Sequence, residues 1–216
     1  MNVRAPKIVY RFKNALYINL TNRCPNACVF CLKNPLAMQF EGYNLDLAGR
    51  EPSAQEVLEE IYKLLKEIPA QEVVFCGYGE PTMRLETLLE IAAALKQKIA
   101  AGVLPAFKIR LNTVGMANIV HGRDITGDLA AVLDKISISI NSPDKEEWLK
   151  MVRPAPQYQA KGYESMLDFI RLAAQKMDDV TVSVVDKQGV DIEKTRALAQ
   201  SLGAKFYVRG FICDEK

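Results

Sequence analysis

The chain has 216 residues, of which 49% are hydrophobic and 25% are charged, the balance of a globular protein with a substantial apolar core. Its formal net charge of +2 is too small to indicate a nucleic-acid partner, so a small molecule, a protein or an RNA all stay open as partners. We find no signal peptide and no apolar run as long as a membrane span, so we expect a cytoplasmic protein without a membrane partner. Three of the five cysteines fall within eight residues, which favours metal binding over disulfides in such a protein.

Short β-rich runs alternate with longer amphipathic stretches along the chain. The predicted strands are residues 15–20, 72–76, 107–112, 135–140, 180–185 and 205–209. The predicted helices are residues 54–67, 85–101, 124–133, 163–176 and 191–202. Ser53 and Glu56 have the spacing of a capping box before the first helix, and Gly203 follows the last one as a C-terminal stop.

Six strands alternating with helices predict an α/β fold with a parallel sheet, either open or curled into a partial barrel. We expect one domain over residues 1–216, because no linker or repeat divides the chain. Right-handed crossovers would place every strand-to-helix loop on one edge, where sites gather in α/β proteins. Residues 33–52 are the longest irregular insertion, and they are either a lid over a ligand or a passive surface excursion.

The most informative segment is the loop Cys24-Pro-Asn-Ala-Cys28-Val-Phe-Cys31, which follows the first predicted strand. Three thiolates can ligate three irons of a cubane and leave the fourth iron open for chemistry. A structural zinc site normally needs four ligands, and the only histidine, His121, lies far along the chain. An electron-carrying ferredoxin would want a fourth close cysteine, and none follows before Cys76.

This C-x3-C-x2-C loop, with an aromatic Phe30 before its last cysteine, resembles the signature of the radical S-adenosylmethionine (SAM) superfamily. The resemblance implies a partial (β/α)6 barrel and a [4Fe–4S] cluster on Cys24, Cys28 and Cys31. It also implies that SAM chelates the open iron, that its reductive cleavage yields a 5′-deoxyadenosyl radical, and that Phe30 contacts the cofactor. An electron donor such as flavodoxin or ferredoxin and sensitivity to oxygen would accompany this chemistry.

The turn after the second strand reads Cys76-Gly-Tyr-Gly-Glu80-Pro. Glycines let backbone groups approach a ligand closely, and a carboxylate beside them can accept from an ammonium group, although a plain strand-to-helix turn has the same composition. The turn is similar to the superfamily's GGE motif, which implies that Gly77, Gly79 and Glu80 contact the methionyl amine of SAM. Tyr78 departs from the commoner glycine. We expect Cys76 itself to be a packed thiol.

Three further strand ends or loops carry candidate polar contacts. Asn112 ends the third strand in a pattern similar to the superfamily's T-N-G ending, which implies a contact to SAM. Alternation places Ser139 and Asn141 on one face of the fourth strand, which is either a ligand-binding face or a water-filled polar face. The resemblance implies that the two residues contact the ribose or the carboxylate of SAM. Arg153 precedes a proline and is either a clamp for an anionic group of SAM or substrate, or a solvated surface residue.

More narrowly, residues 16–24, 110–113, 153–154 and 163–170 resemble the small radical SAM proteins associated with TatD-type nucleases. Three functions stay open at this stage. The chain could abstract hydrogen from a small molecule or nucleoside, or it could be an activase that installs a radical on a partner protein. It could also be a non-catalytic iron–sulfur or zinc module that binds nucleic acid. A homo-oligomer, or a partner protein that covers an open barrel, would suit an enzyme of this size.

Overall fold

The computed structural model describes residues 5–186 and 190–210. Its strands are β1 (Val9–Phe12), β2 (Ala15–Ile18), β3 (Gln39–Phe40), β4 (Tyr43–Asn44), β5 (Glu72–Phe75), β6 (Lys108–Thr113), β7 (Lys135–Ser139), β8 (Val180–Asp186) and β9 (Lys205–Gly210). Its α-helices are α1 (Ala54–Glu67), α2 (Leu85–Ala100), α3 (Ala117–His121), α4 (Thr126–Val132), α5 (Lys145–Val152), α6 (Gly162–Lys176) and α7 (Ile192–Ser201). Short 3₁₀ turns occupy Pro81–Arg84 and Pro156–Tyr158.

The main sheet has the strand order β1-β2-β5-β6-β7-β8-β9. Every neighbouring pair from β2 to β9 is parallel, whereas β1 runs antiparallel to β2 at the edge. The prediction of an α/β fold with six parallel strands is therefore confirmed. The sheet is an open, partial barrel with β1 and β9 at its two edges.

Strand β1 was not predicted from the sequence, because it is four residues long and joins β2 through only two residues. Lys13 in that connection adopts a left-handed backbone conformation with φ 53°, which few side chains favour and which composition did not signal. The resulting register sets Tyr10 opposite Tyr17 and Phe12 opposite Ala15. An additional strand that carries two aromatic residues, Tyr10 and Phe12, therefore pairs with the edge of β2.

The apolar core lies between the sheet and its helices. Alternation along β6 turns Ile109 and Leu111 toward the helices, where both are fully buried, and leaves Arg110 partly exposed on the concave side. Helix α1 begins at the predicted capping box of Ser53 and Glu56. No helix within the described ranges is both long enough and apolar enough to cross a membrane.

The insertion at residues 33–52 forms a small two-stranded hairpin, β3–β4, that the sequence did not predict. Buried Asn19, directly after β2, donates to the Leu45 carbonyl at 2.8 Å, and Asn22 donates to the same oxygen at 3.0 Å. Asn22 also accepts from the Leu47 amide at 2.7 Å. These bonds hold the insertion against the carboxyl end of β2, the edge at which the cysteine loop begins.

Candidate active site

A cavity of about 380 Å³ opens at the carboxyl edge of the parallel sheet. Most of the residues singled out in the sequence line it together, although they come from three different strand ends. These are Cys24, Cys28, Phe30, Cys31, Gly77, Tyr78, Gly79, Ser139 and Asn141. From the insertion, Lys33, Phe40 and Leu45 also reach the cavity wall. Glu80, Asn112 and Arg153 are not part of the lining.

The cysteine loop is fixed by a short antiparallel pairing with the segment that follows α5. The Ala27 amide donates to the Arg153 carbonyl at 3.0 Å, and the Ala155 amide donates to the Pro25 carbonyl at 2.9 Å. Arg153 has a left-handed backbone with φ 49°, and its side chain is exposed. The structure thus gives Arg153 a backbone role in positioning the loop, whereas an ionic contact of its side chain stays a prediction.

The thiols of the loop are partly buried around the cavity. Burial raises the pKa of Cys24 and of Cys28 to about 12, and the nearby cations Lys33 and Arg209 oppose the rise at Cys28. Without a metal both groups are therefore protonated near neutral pH, and ligation must displace their protons.

The donor set of the cysteine loop suits an iron–sulfur cluster. In a cubane each thiolate binds a different iron, and Cys24, Cys28 and Cys31 line one cavity. Thiolates are also the soft ligands that such clusters select. In residues 5–186 and 190–210, no set of three or more His, Cys, Asp or Glu side chains is arranged to hold a single metal ion.

The two glycines after β5 are required by packing against the start of the cysteine loop. A Cβ on Gly79 would lie 2.7 Å from the Arg23 carbonyl oxygen and closer still to that of Thr21. A Cβ on Gly77 would lie 2.9 Å from the Cα of Asn19. The Glu80 amide also donates to the Arg23 carbonyl at 2.8 Å. The turn and the cysteine loop thus form one unit of touching backbones.

The Glu80 side chain is buried behind this turn, where it connects β5 to β6. Its carboxylate accepts from the Thr82 hydroxyl at 2.7 Å, the Thr113 hydroxyl at 2.8 Å and the Val114 amide at 2.8 Å. Burial raises the pKa of this carboxyl group, and the hydrogen bonds oppose the rise. The contact of Glu80 with the methionyl amine stays a prediction, and the geometry adds a role that the motif alone did not reveal.

Asn112 lies on the concave face of β6, next to Cys76. Its Oδ1 accepts from Arg110 at 3.2 Å. Cys76 is partly buried and is part of the cavity lining. The contact of Asn112 with SAM stays a prediction.

Asn141 carries a polar atom that lacks a partner. The residue is 3% exposed, its backbone is left-handed with φ 66°, and its Oδ1 is buried without a hydrogen bond among the described residues. Asn26, inside the cysteine loop, has both side-chain polar atoms in the same condition. Both residues line the cavity, but these particular atoms have almost no solvent-accessible surface, so a ligand could reach them only after a local rearrangement.

Sequence reasoning missed Arg209, Asn26 and the rings of Tyr10 and Phe12 as members of the lining. Arg209, near the end of β9, donates to the Ser139 hydroxyl at 3.0 Å. Its position at the end of the last parallel strand was the available signal. The fifth cysteine of the chain, Cys213, falls outside the residues that the structure describes.

The comparison that identifies the family covers most of the chain. Residues 18–202 match the model of the radical SAM superfamily. The chain belongs to this superfamily. Proteins of the superfamily use a [4Fe–4S] cluster and SAM, and the chain is accordingly an enzyme.

Individual relatives are more distant. The chain is 24% identical over 199 residues to a probable dual-specificity RNA methyltransferase RlmN from Chlorobium phaeobacteroides, covering 88% of this chain and 49% of the relative. A relative of the same name from Chlorobaculum tepidum is 27% identical over 128 residues, covering 56% of this chain and 30% of its own length. The chain therefore spans at most about half the length of these relatives.

Among solved structures, the FeFe-hydrogenase maturase HydG from Carboxydothermus hydrogenoformans matches with a TM-score of 0.65 and 18% identity. That match covers 92% of this chain and 44% of HydG. SuiB from Streptococcus suis bound to S-adenosylmethionine matches with a TM-score of 0.63 and 14% identity, covering 93% of this chain and 39% of SuiB. At these identities the likeness shows the fold alone.

Proposed function

We propose that this enzyme holds its [4Fe–4S] cluster through Cys24, Cys28 and Cys31 and uses SAM to abstract hydrogen from a small molecule or nucleoside. The observation that supports the proposal is one cavity lined by three cysteines, by the Gly77–Gly79 turn and by Ser139 and Asn141. Such a site offers soft ligands for iron beside polar groups that suit an amino acid moiety.

Each part of the lining has a task in this proposal. The three thiolates bind iron, and Lys33 and Arg209 offset the negative charge at Cys28. The turn from Gly77 to Glu80 presents backbone carbonyls to the SAM ammonium group, and Asn141 and Ser139 offer polar contacts to the rest of SAM. Bound SAM supplies the hydrogen-abstracting chemistry after one electron arrives from a flavodoxin- or ferredoxin-type donor. The protein positions the reactants and excludes water.

A second candidate is supported by the curated relatives, whose names describe RNA methyltransferases. In that case the substrate would be an RNA and not a free nucleoside. The narrower resemblance to TatD-associated proteins, and an activase acting on a protein partner that covers the open barrel, stay predictions on the same footing. All of these candidates share the cluster and SAM site, so that site is tested first.

Anaerobic reconstitution of the wild-type chain should give about four irons per chain. Replacing Cys24, Cys28 and Cys31 together by alanine should abolish iron incorporation. Cys76→Ala is the matched control, because Cys76 lines the same cavity and should leave the iron content unchanged. Full iron content in the triple variant, or one zinc and no iron in the wild type, would contradict the proposal. Untargeted analysis of metabolites and RNA consumed by the reduced holo-protein would then separate the substrate candidates.

A further inference from the structure

Five aromatic side chains form one cluster beside the candidate active site, and they are Tyr10, Phe12, Tyr17, Phe40 and Tyr43. Tyr10 stacks on Tyr17 with ring centroids 5.5 Å apart, and Phe12 meets Phe40 edge to face at 5.1 Å. Tyr10, Phe12, Tyr17 and Phe40 line the cavity that also contains the cluster cysteines, and these four rings are called the aromatic wall. Tyr43 packs on Tyr10 but is not part of the lining.

The aromatic wall extends from inside the concave sheet to the loops proposed to hold SAM. Tyr17 is level with Val74 on β5, which in turn is level with Arg110 on β6. The glycine turn, in contrast, begins only after β5 has ended at Phe75. Phe40 follows Gln39, whose carbonyl accepts from the Tyr78 hydroxyl of that turn. A ligand that reaches Tyr17 would therefore lie beneath SAM, inside the half-barrel.

The polar groups of the wall leave one donor available. The Tyr10 hydroxyl donates to the Cys76 carbonyl at 3.3 Å. The Tyr17 hydroxyl accepts from Arg110 at 3.5 Å, and among the described residues its own proton has no acceptor. Burial raises the pKa of Tyr17, so the group stays protonated near neutral pH. Tyr10 is only 4% exposed, so the partly exposed rings of Phe12, Tyr17 and Phe40 supply the open surface of the wall. With one free O–H at its margin, this surface suits a flat ligand that has an acceptor on its edge.

We infer that the aromatic wall binds a planar heteroaromatic ring of the substrate, of nucleobase type, with the Tyr17 hydroxyl donating to a ring nitrogen or carbonyl oxygen. The inference rests on the proposed function for the place of SAM above the wall. Stacking on partly buried rings selects flat aromatic ligands, whichever base or substituents they carry. The Tyr17 donor in addition requires an acceptor on the ligand, which a pure hydrocarbon lacks. The same ring could belong to a free nucleoside or to an exposed base of an RNA.

The inference can be tested by binding, without turnover. Holo-protein with SAM and no reductant is titrated by calorimetry with adenosine, guanosine, cytidine, ribose and a short single-stranded RNA. We expect at least one nucleoside or the RNA to bind, ribose not to bind, and Phe40→Leu to weaken binding about tenfold. Tyr43→Leu is the matched control, since Tyr43 pairs with Phe40 in the hairpin and belongs to the same cluster but lies off the cavity. It should leave affinity within about twofold.

Tyr17→Phe tests the inference with little risk to folding, because it keeps the ring and removes only the hydroxyl. We expect it to weaken binding about fivefold, through loss of one hydrogen bond. Binding of RNA with no binding of nucleosides would support the ring subsite and assign its source.

Three outcomes would overturn the inference. One is that no aromatic probe binds although SAM does, which would leave the proposed function intact. Another is that Phe40→Leu and Tyr43→Leu weaken binding equally. The last is that nucleoside displaces SAM, since the wall would then belong to the SAM site. Failure of SAM itself to bind, with nucleoside binding retained, would reject the proposed function and not the ring subsite.

Discussion

The two faces of the main sheet differ in the chemistry of their side chains. On the helix-facing side, Leu111 and Ile138 are fully buried in apolar surroundings. On the concave side, the neighbouring strands carry Asn112, Ser139 and, just past the strand, Asn141. Packing against the helices thus supplies stability on one face, while the other face offers polar groups that a ligand could contact.

The largest loss of iron binding should come from a change where the glycine turn touches the start of the cysteine loop. Gly79→Ala would drive a Cβ into the carbonyl oxygens of Thr21 and Arg23, so the start of the cysteine loop must move. We expect iron incorporation during anaerobic reconstitution to be largely lost. Gly127→Ala is the control, because the nearest atom to its Cβ is 3.9 Å away, and it should leave iron content unchanged. Normal iron content in Gly79→Ala would show that the loops tolerate separation.

Leu111→Ala tests the helix-facing side. Removing a fully buried leucine side chain should lower the free energy of unfolding by about 3 kcal/mol, measured by urea denaturation of the apo-protein. Under native conditions the remaining folded protein should bind SAM with unchanged affinity after reconstitution. A loss of SAM affinity in proportion to the loss of stability would break the separation between the two faces.

Glu80 should affect both stability and binding, because its buried carboxylate holds the glycine turn after β5 to the end of β6. Glu80→Ala leaves the Val114 and Thr82 amides without their acceptor, so we expect a loss of about 2 kcal/mol in unfolding free energy. We also expect SAM affinity to fall about tenfold by calorimetry, because the turn loses its anchor. Glu86→Ala, at an exposed position of α2, should change neither quantity. Weaker SAM binding with unchanged stability would favour a direct contact over an anchoring role.

The same contrast explains what could be predicted from the sequence. Alternating isoleucines and leucines indicate strands buried against helices, and the spacing of the cysteines and glycines indicates a loop motif. The parallel strands and most residues of the cavity lining could therefore be predicted from the sequence. Strand β1 and the β3–β4 hairpin were not, because each is short and depends on left-handed residues such as Lys13 and Glu41. The aromatic wall was missed because it depends on β1 and on the β3–β4 hairpin, and Arg209 was missed because its contact with Ser139 joins residues 70 positions apart.

A change at Asn141 should have a smaller effect, and it should lower SAM affinity without lowering the free energy of unfolding. Asn141→Gly preserves the left-handed backbone, since glycine adopts φ 66° without strain, and removes only the amide. The unfolding free energy should stay within about 0.5 kcal/mol, while SAM affinity of the holo-protein falls about fivefold. If calorimetry shows the same SAM affinity in the glycine variant, Asn141 serves only to turn the chain.

The smallest expected effect concerns the insertion at residues 33–52. The Tyr78 hydroxyl, in the glycine turn, donates to the Gln39 carbonyl of the β3–β4 hairpin at 2.7 Å, so it joins the proposed SAM site to the insertion. If the insertion is a lid, SAM should slow hydrogen exchange of residues 33–52 in the wild-type holo-protein, and Tyr78→Phe should reduce that protection about fivefold by removing one hydrogen bond. Tyr62→Phe is the control, because the Tyr62 hydroxyl is buried without a partner among the described residues. Unchanged exchange of the insertion on SAM addition, together with protection at residues 77–80, would show that the insertion lines the cavity without closing it.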